Sequence, residues 1–425
     1  MAVTIKVPYG SGEMSCEVAD RRSVNVLRAS APNVPREAES DIVKKALERP
    51  KDSPRLAELA RGKRKVTVLT SDHTRPVPSH ITLPLMLDEI RAGAPDADIT
   101  ILIGVGSHRA TTREEMADKF GLDFAARERI VNHDPLDASK LVSLGRLPSG
   151  GELVINRIAA EADLLVADGF IEPHQFAGFS GGRKSVLPGI ASLATVMASH
   201  NAEFTVHPAA RPGSLDGNPF QEDMLFAARA AKLAFILNVA LSQDKRIIAA
   251  FAGDMDKAHR AGCAFVLEHA GVRISRTPIV ITSNGGYPLD QNIYQSTKSI
   301  MQADLACSDG GVIIAVNECR DGCGAPAFYD TFKNAASLES LLEEIERRGR
   351  NETVPDQWVT QLTAKILKAR TVFFVTDAPR EMAENFGMKH ASALSEALAQ
   401  ADKILSARGL HEAPITVLPD AVSLV

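Results

Sequence analysis

The feature that most restricts this chain is a repeated alternation of two patterns. Short runs rich in β-branched residues give way to stretches whose apolar residues recur every three or four positions. KVTVLT (65–70), ITILIGVG (99–106), DLLVAD (163–168) and AFILNVAL (234–241) read as strands. ITLPLMLDEIRAG, TREEMADKFG, ELVINRIAAEA and DMDKAHRAGCAFVLEHAG read as helices, several with Gly at or just beyond the end. Strand–helix alternation of this kind folds as a parallel sheet with helices on both faces. A second series follows GVRISRTP (271–278), with strands PIVITSNGG, GVIIAVNE, TVFFVTD and PITVLPDA and helices such as SLESLLEEIERRG and ASALSEALAQADKILSARG. The expected class is therefore α/β. Two domains, 1–275 and 276–425, each carry a largely parallel sheet flanked by helices, with the active site in the cleft between them and a last strand free to return to the first domain. The length of 425 residues, too great for one ordinary core, agrees with two domains. The N-terminal MAVTIKVPYGSGEMSCEV alternates like a strand pair around a Gly-Ser-Gly turn and lacks the apolar core of a signal peptide.

Composition removes several partners. A formal charge of -5, with both signs interspersed, offers no basic stripe for nucleic acid or an anionic membrane surface. No apolar run reaches the roughly 18 residues of a membrane span. Cytoplasmic residence and a small-molecule partner are the expectations. Five cysteines, Cys16, Cys263, Cys307, Cys319 and Cys323, are odd in number and scattered, which argues against a disulfide framework. Cys319 and Cys323 lie close together in NECRDGCG but have no second pair with which to form a thiolate metal site.

In parallel-sheet folds ligands sit at the carboxyl ends of the strands. Three consecutive candidate strands end in polar clusters. KVTVLT runs into Asp72, His73, Thr74 and Arg75; ITILIGVG runs toward His108 and Arg109; DLLVAD runs toward His174. Beyond His174 the Gly-rich EPHQFAGFSGGRKSVLPGIAS carries Lys184, and His200 follows it. GFSGGRKS resembles a phosphate-binding loop, but Arg183 occupies the place of the last Gly, whose small size lets backbone amides wrap a phosphate. His80, His133, His207, His259, His269, His390 and His411 lie in polar or helical contexts, where a solvated imidazole needs no special role.

His108, His174 and His200 admit two uses. Converging on one crevice, they could hold zinc with Asp72 or Glu172 as a base, making a hydrolase. His108 and His174 could instead act as acid and base on opposite faces of a substrate, as inversion of a stereocentre requires, leaving His200 to bind a metal. Arg75 offers a planar fork suited to a carboxylate, and Lys184 could reach a cofactor covalently. In the second half, SNGGYPLDQNIYQSTK places Tyr294, Gln295 and Lys298 on one helical turn, and Trp358, the only tryptophan, is a candidate wall of the pocket.

DHTRP, GSHR, EPHQFAGFSGGRKSVLPGIAS, SHN and SNGGYPLDQNIYQSTK together resemble the nickel-pincer-dependent lactate racemase family of 2-hydroxy acid racemases and epimerases. The resemblance implies a nickel-pincer nucleotide: nickel held by two sulfur donors and one carbon donor of a pyridinium mononucleotide, with a protein imidazole as fourth ligand. It further implies that Lys184 forms a thioamide link to this cofactor, that His200 completes nickel coordination, and that His108 and His174 are the acid/base pair. Asp72, His73, Thr74 and Arg75 would line cofactor and substrate, with Arg75 at the substrate carboxylate. Tyr294, Gln295, Lys298 and Trp358 would close the pocket. His73 departs from the family pattern, where Arg is more frequent. The implied partners are a small 2-hydroxy acid and the enzymes that build the cofactor; a non-catalytic carrier of the cofactor is the alternative.

Overall fold

A computed structural model describes residues 2–28, 34–242, 244–272 and 274–424. They separate into two units, a larger one of Ala31–His269 with Arg350–Thr353 and a smaller one of Met1–Ser30, Ala270–Gly349 and Val354–Val425.

The sheet of the larger unit has the order Ile247–Gly253, Leu233–Leu241, Leu164–Phe170, Lys65–Ser71, Asp98–Gly104, Ile130–Asn132. All neighbours are parallel except the outermost pair, Leu233–Leu241 with Ile247–Gly253. All seven residues of Leu164–Phe170 are buried, the signature of a parallel strand covered on both faces. The topology locates the crevice. From Lys65–Ser71 the chain moves outward to Asp98–Gly104, then crosses back to Leu164–Phe170 on the other side and moves outward again. The two crossovers diverge between Lys65–Ser71 and Leu164–Phe170, and a doubly wound sheet opens a binding crevice at the carboxyl ends of strands related in this way.

ELVINRIAAEA is not a helix throughout. Glu152–Asn156 is a strand paired antiparallel with Leu141–Arg146, and only Arg157–Ala160 is helical. Leu153 and Ile155 are buried at a spacing of two, and the Asn156 side chain accepts the Ile158 N–H to start the helix.

The smaller unit has a wholly parallel sheet of order Lys389–Ala391, Thr371–Val375, Cys307–Val316, Thr277–Thr282, Ile415–Leu418, Val24–Val26. The expected division at 275/276 therefore differs from the observed one at its N-terminal end. The hairpin Ala2–Tyr9 with Gly12–Ala19 buries Ile5, Val7, Cys16 and Val18 in the same core as the helix Leu394–Ser406 and the strand Ile415–Leu418. An alternating hairpin with one apolar face has to cover that face, and this core does so. The last strand does not return to the larger unit: it lies between Thr277–Thr282 and Val24–Val26. All five cysteines are free thiols.

Candidate active site

The strand Lys65–Ser71 delivers Asp72 to the crevice nearly buried, at 2% exposure. One carboxylate oxygen of Asp72 accepts from the Thr74 N–H at 3.0 Å and its hydroxyl at 2.6 Å, folding the loop back on itself. The other lies 2.6 Å from Nδ1 of His108, which projects from just beyond the neighbouring strand Asp98–Gly104. Burial opposes ionisation of Asp72, but the hydrogen bonds from His108 and Thr74 outweigh it and hold the carboxyl at about 2. An ionised Asp72 accepts a hydrogen bond from Nδ1–H of His108, so that in the neutral ring the lone pair lies on Nε2.

His73 turns away from this dyad. Its Nδ1 lies 3.3 Å from the Thr111 hydroxyl and 3.6 Å from the Glu115 carboxylate, which also pairs with Arg109 and completes a capping box with Thr112. His73 thus ties its loop to the start of the helix Arg113–Phe120. Arg75 is exposed. Its N–H reaches the Asp72 carbonyl at 3.3 Å, and its carbonyl accepts from Lys119 Nζ at 3.0 Å, whereas among the described residues no hydrogen bond engages its guanidinium.

From Leu164–Phe170 the chain enters the Gly-rich segment, which is fixed despite its composition. Pro173–His174 pairs with Gly178–Phe179 in a tight antiparallel turn. Gly178 and Gly181 have φ of +77° and +78°, and a Cβ would come within 2.0 Å of the Ser214 carbonyl at the first and 2.6 Å of the Phe170 carbonyl at the second. Arg183, fully buried, donates to the carbonyls of Ala177 at 2.8 Å, Phe179 at 3.0 Å and Gly181 at 3.2 Å, and through Nε to Gln221. No carboxylate is among these partners. Burial lowers its pKa to about 10, still high enough to keep the charge. Lys184 follows, half-buried in the short 3₁₀ turn Gly182–Ser185.

His174 is set differently from His108. Nδ1 of His174 accepts the Ala177 N–H at 3.3 Å, so the neutral ring carries its proton on Nε2. Burial first, then the cations Lys184 and Arg75, push its pKa well below the ordinary histidine value. His200 ends the helix Leu193–Ser199, and its Nδ1 lies 2.8 Å from the Val196 carbonyl. That bond places the proton on Nδ1 and a lone pair on Nε2, the arrangement of an imidazole prepared to ligate a metal. Burial outweighs the carbonyl's effect and brings its pKa down to about 4. Phe176 stands edge-on to both rings, 4.6 Å from His174 and 5.3 Å from His200. Lys184 and His200 share a small hollow walled by Phe176, Leu187, Phe220 and Met224. Burial, Arg183 and Arg75 push Lys184 well below the ordinary lysine value, against Glu172.

His174, Lys184, His200 and Arg75 therefore act electrostatically on one another as one cluster, and Asp72 links Arg75 to His108. Lys119, Phe176 and the fastening by Arg183 lie outside the residues singled out in the sequence. His133 and His259, expected to be solvated, are buried at 2% and 1%: Nε2 of His133 bonds the Ala191 carbonyl, and Nε2 of His259 lies 2.8 Å from the Ser180 carbonyl.

Tyr294, Gln295 and Lys298 belong to the smaller unit, on the helix Ile293–Ala306, where the Asn292 side chain accepts the Gln295 N–H at 2.9 Å. The Tyr294 hydroxyl donates to Asp356 at 2.8 Å; Asp356, with φ of +61°, opens the helix Gln357–Ala369 that carries Trp358.

A switch point of a parallel sheet furnished with histidines, a lysine and an uncommitted guanidinium is the layout of an α/β enzyme. Comparison with known proteins specifies which. The model of the lactate racemase N-terminal domain matches residues 9–213, and that of the lactate racemase C-terminal domain matches residues 272–425. The chain is 49% identical to the lactate racemase of Thermoanaerobacterium thermosaccharolyticum over 99% of its length and 98% of the relative's. It is 45% identical to that of Lactiplantibacillus plantarum, over 100% of its length and 99% of the relative's. The structure of the T. thermosaccharolyticum lactate racemase apoprotein superposes with a TM-score of 0.93 at 49% identity, covering 100% of this chain and 99% of that one. A Thermotoga maritima protein of 18% identity, with a TM-score of 0.62 over 93% of this chain and 98% of its own, shares the fold alone. The chain belongs to the lactate racemase family and is an isomerase, a racemase. No helix among the described residues is long and apolar enough to cross a membrane.

Proposed function

We propose that this racemase inverts C2 of a 2-hydroxy acid, lactate or a close relative, with His108 and His174 as its acid/base pair. One observation carries the reading: each side of the crevice presents an imidazole whose Nδ1 is engaged, with no hydrogen bond at Nε2 among the described residues. His108 is oriented by the Asp72 carboxylate and His174 by the Ala177 N–H. Inversion needs two such groups, because one histidine, neutral, takes the hydroxyl proton of the incoming enantiomer, and the other, having first taken up a proton, returns it to the hydroxyl formed on the opposite side; each ring cycles between its neutral and protonated forms. Arg75, whose carbonyl is held while its guanidinium is uncommitted, would take the substrate carboxylate in a two-pronged hydrogen bond.

The residues also fit a nickel-pincer nucleotide. Among the described residues no three His, Cys, Asp or Glu side chains are grouped to hold a metal, which disfavours a zinc hydrolase and suits a metal that brings its own donors and asks the protein for one imidazole. His200 would be that ligand. Lys184, in the same hollow and with its pKa pushed well down by burial, would make the thioamide link. When bound, the group would accept the C2 hydrogen as hydride and return it. Asp72, His73, Thr74 and Arg75 would border cofactor and substrate in the larger unit, and Tyr294, Gln295, Lys298 and Trp358 would contribute from the smaller one. The enzymes that build the cofactor would be the protein partners.

Racemisation of L-lactate in heavy water by cofactor-loaded protein tests the reading. Hydrogen returned to the carbon it left gives product with little deuterium at C2. Full deuterium at C2 would overturn the hydride route, and absence of racemisation with any 2-hydroxy acid would favour a carrier.

A further inference from the structure

Among the groups the reaction scheme does not use, Lys119 is the least expected. It lies on the last turn of the helix Arg113–Phe120, where a lysine ordinarily points its ammonium into water, yet it is half-buried and reaches back to the Arg75 carbonyl at 3.0 Å. Around Arg75 there are few other handles. Its N–H is committed to the Asp72 carbonyl, and the next residue, Pro76, has no N–H to give. The Arg75 carbonyl is therefore the point at which this peptide can be held, and Lys119 holds it. The other part of the loop is held at the start of the same helix, where Glu115 in its first turn and Thr111 just before its cap lie beside His73.

We propose that Lys119 is the positioning residue for Arg75: by fastening the Arg75 carbonyl it fixes where the guanidinium meets the substrate carboxylate, and so sets substrate affinity and not the proton-transfer steps. The inference rests on the reading of Arg75 as the carboxylate anchor. A lysine dehydrated in this way is costly to bury, and cost of this kind is characteristic of functional surroundings. Burial brings its pKa down to about 8; the charged groups facing it are Asp168 and Asp72, which oppose the fall, and Arg75, which adds to it. Above pH 8 the ammonium is lost and the bond to the carbonyl weakens from a charge-assisted one to that of a neutral amine.

The test is steady-state racemisation by the cofactor-loaded enzyme between pH 6.5 and 9.5, for the unaltered chain, Lys119→Met and Arg75→Lys. Lys119→Met keeps an apolar stem of similar length, and its thermal unfolding establishes that it is folded. The expected result is a KM for the hydroxy acid about tenfold higher in Lys119→Met, as for loss of a hydrogen bond to a charged donor, with kcat within about twofold. The unaltered enzyme should show a rise in KM with an inflection near pH 8 that Lys119→Met lacks. If Lys119→Met is folded and its KM is unchanged, or if the inflection persists in it, the positioning role is overturned. An unchanged KM in Arg75→Lys would remove Arg75 as the anchor, whereas a raised KM in Arg75→Lys with normal Lys119→Met would defeat the role of Lys119 alone. Lys119→Arg supplies a second variant: a side chain charged throughout this range should hold KM low and remove the inflection, and an inflection surviving in it would also overturn the proposal.

Discussion

The two sides of the crevice prepare their histidines by opposite means. On the side of Lys65–Ser71 and Asp98–Gly104, His108 is exposed and its proton is placed by a counter-charge, the Asp72 carboxylate 2.6 Å away. On the side of Leu164–Phe170, His174, Lys184 and His200 sit among aromatic rings beside the buried Arg183, and burial is the largest influence pushing the pKa of each down. A counter-charge sets a proton while leaving the group in water; dehydration sets it by making the charged form expensive. The first leaves the ring open to solvent, and the second favours the uncharged form of each group in a crowded pocket.

The largest effect that bears on this contrast is kinetic. His108→Ala and His174→Ala should each reduce racemisation by about 10² to 10⁴, the usual contribution of a general acid or base, although one ring is exposed and the other half-buried. Near-normal turnover in either variant would mean that only one side does acid–base work.

Stability gives the next. Arg183→Met removes the donor to the carbonyls of Ala177, Phe179 and Gly181, and it should lower the unfolding free energy by about 3 kcal/mol or more, measured in denaturant at pH 7. His73→Ala, which removes a longer and more exposed tether, should stay under about 1 kcal/mol. Equal losses would show that the Gly-rich segment does not depend on its guanidinium.

A further contrast concerns acid. A buried histidine whose pKa falls from 6.5 to about 4, as for His200, leaves stability intact above pH 6.5 and erodes it as pH drops toward 4. Asp72, lowered from 3.8 to about 2, contributes stability that is present above pH 4 and is lost only as pH falls through 2. Acid should therefore loosen the His200 side first. Asp72→Asn should leave the slope of stability against pH unchanged between pH 6.5 and 4 and flatten it below; a flattened slope in the upper window would reverse the order of the two sides.

Much of this was legible in the sequence, for definite reasons. Strands such as DLLVAD announce themselves by apolar runs, and Asp72, His108 and His174 lie beyond the carboxyl ends of parallel strands, as the spacing implied. Helical spacing put Tyr294, Gln295 and Lys298 on one turn, as the helix Ile293–Ala306 does. ELVINRIAAEA misled because Leu153 and Ile155 fit a spacing of two as well as the helical one, and only tertiary burial separates them. Val24–Val26 gave no signal, since a three-residue edge strand is defined by the partner it pairs with, here Ile415–Leu418. Arg183 was visible as a misfit among glycines, but a guanidinium satisfied by backbone carbonyls leaves no trace in residue spacing. Lys119 looked like any solvated cation at the end of a helix.

The fastening of the Gly-rich segment has a thermodynamic consequence for whatever binds beside Lys184. Ordering a backbone residue opposes association by roughly 1–2 kcal/mol, and a segment of glycines would be the most expensive kind to order at that moment. With Arg183 closing the loop during folding, that entropy loss has already been incurred before any ligand arrives. Binding then meets a preformed socket, so its free energy can go into affinity and orientation instead of into freezing the chain.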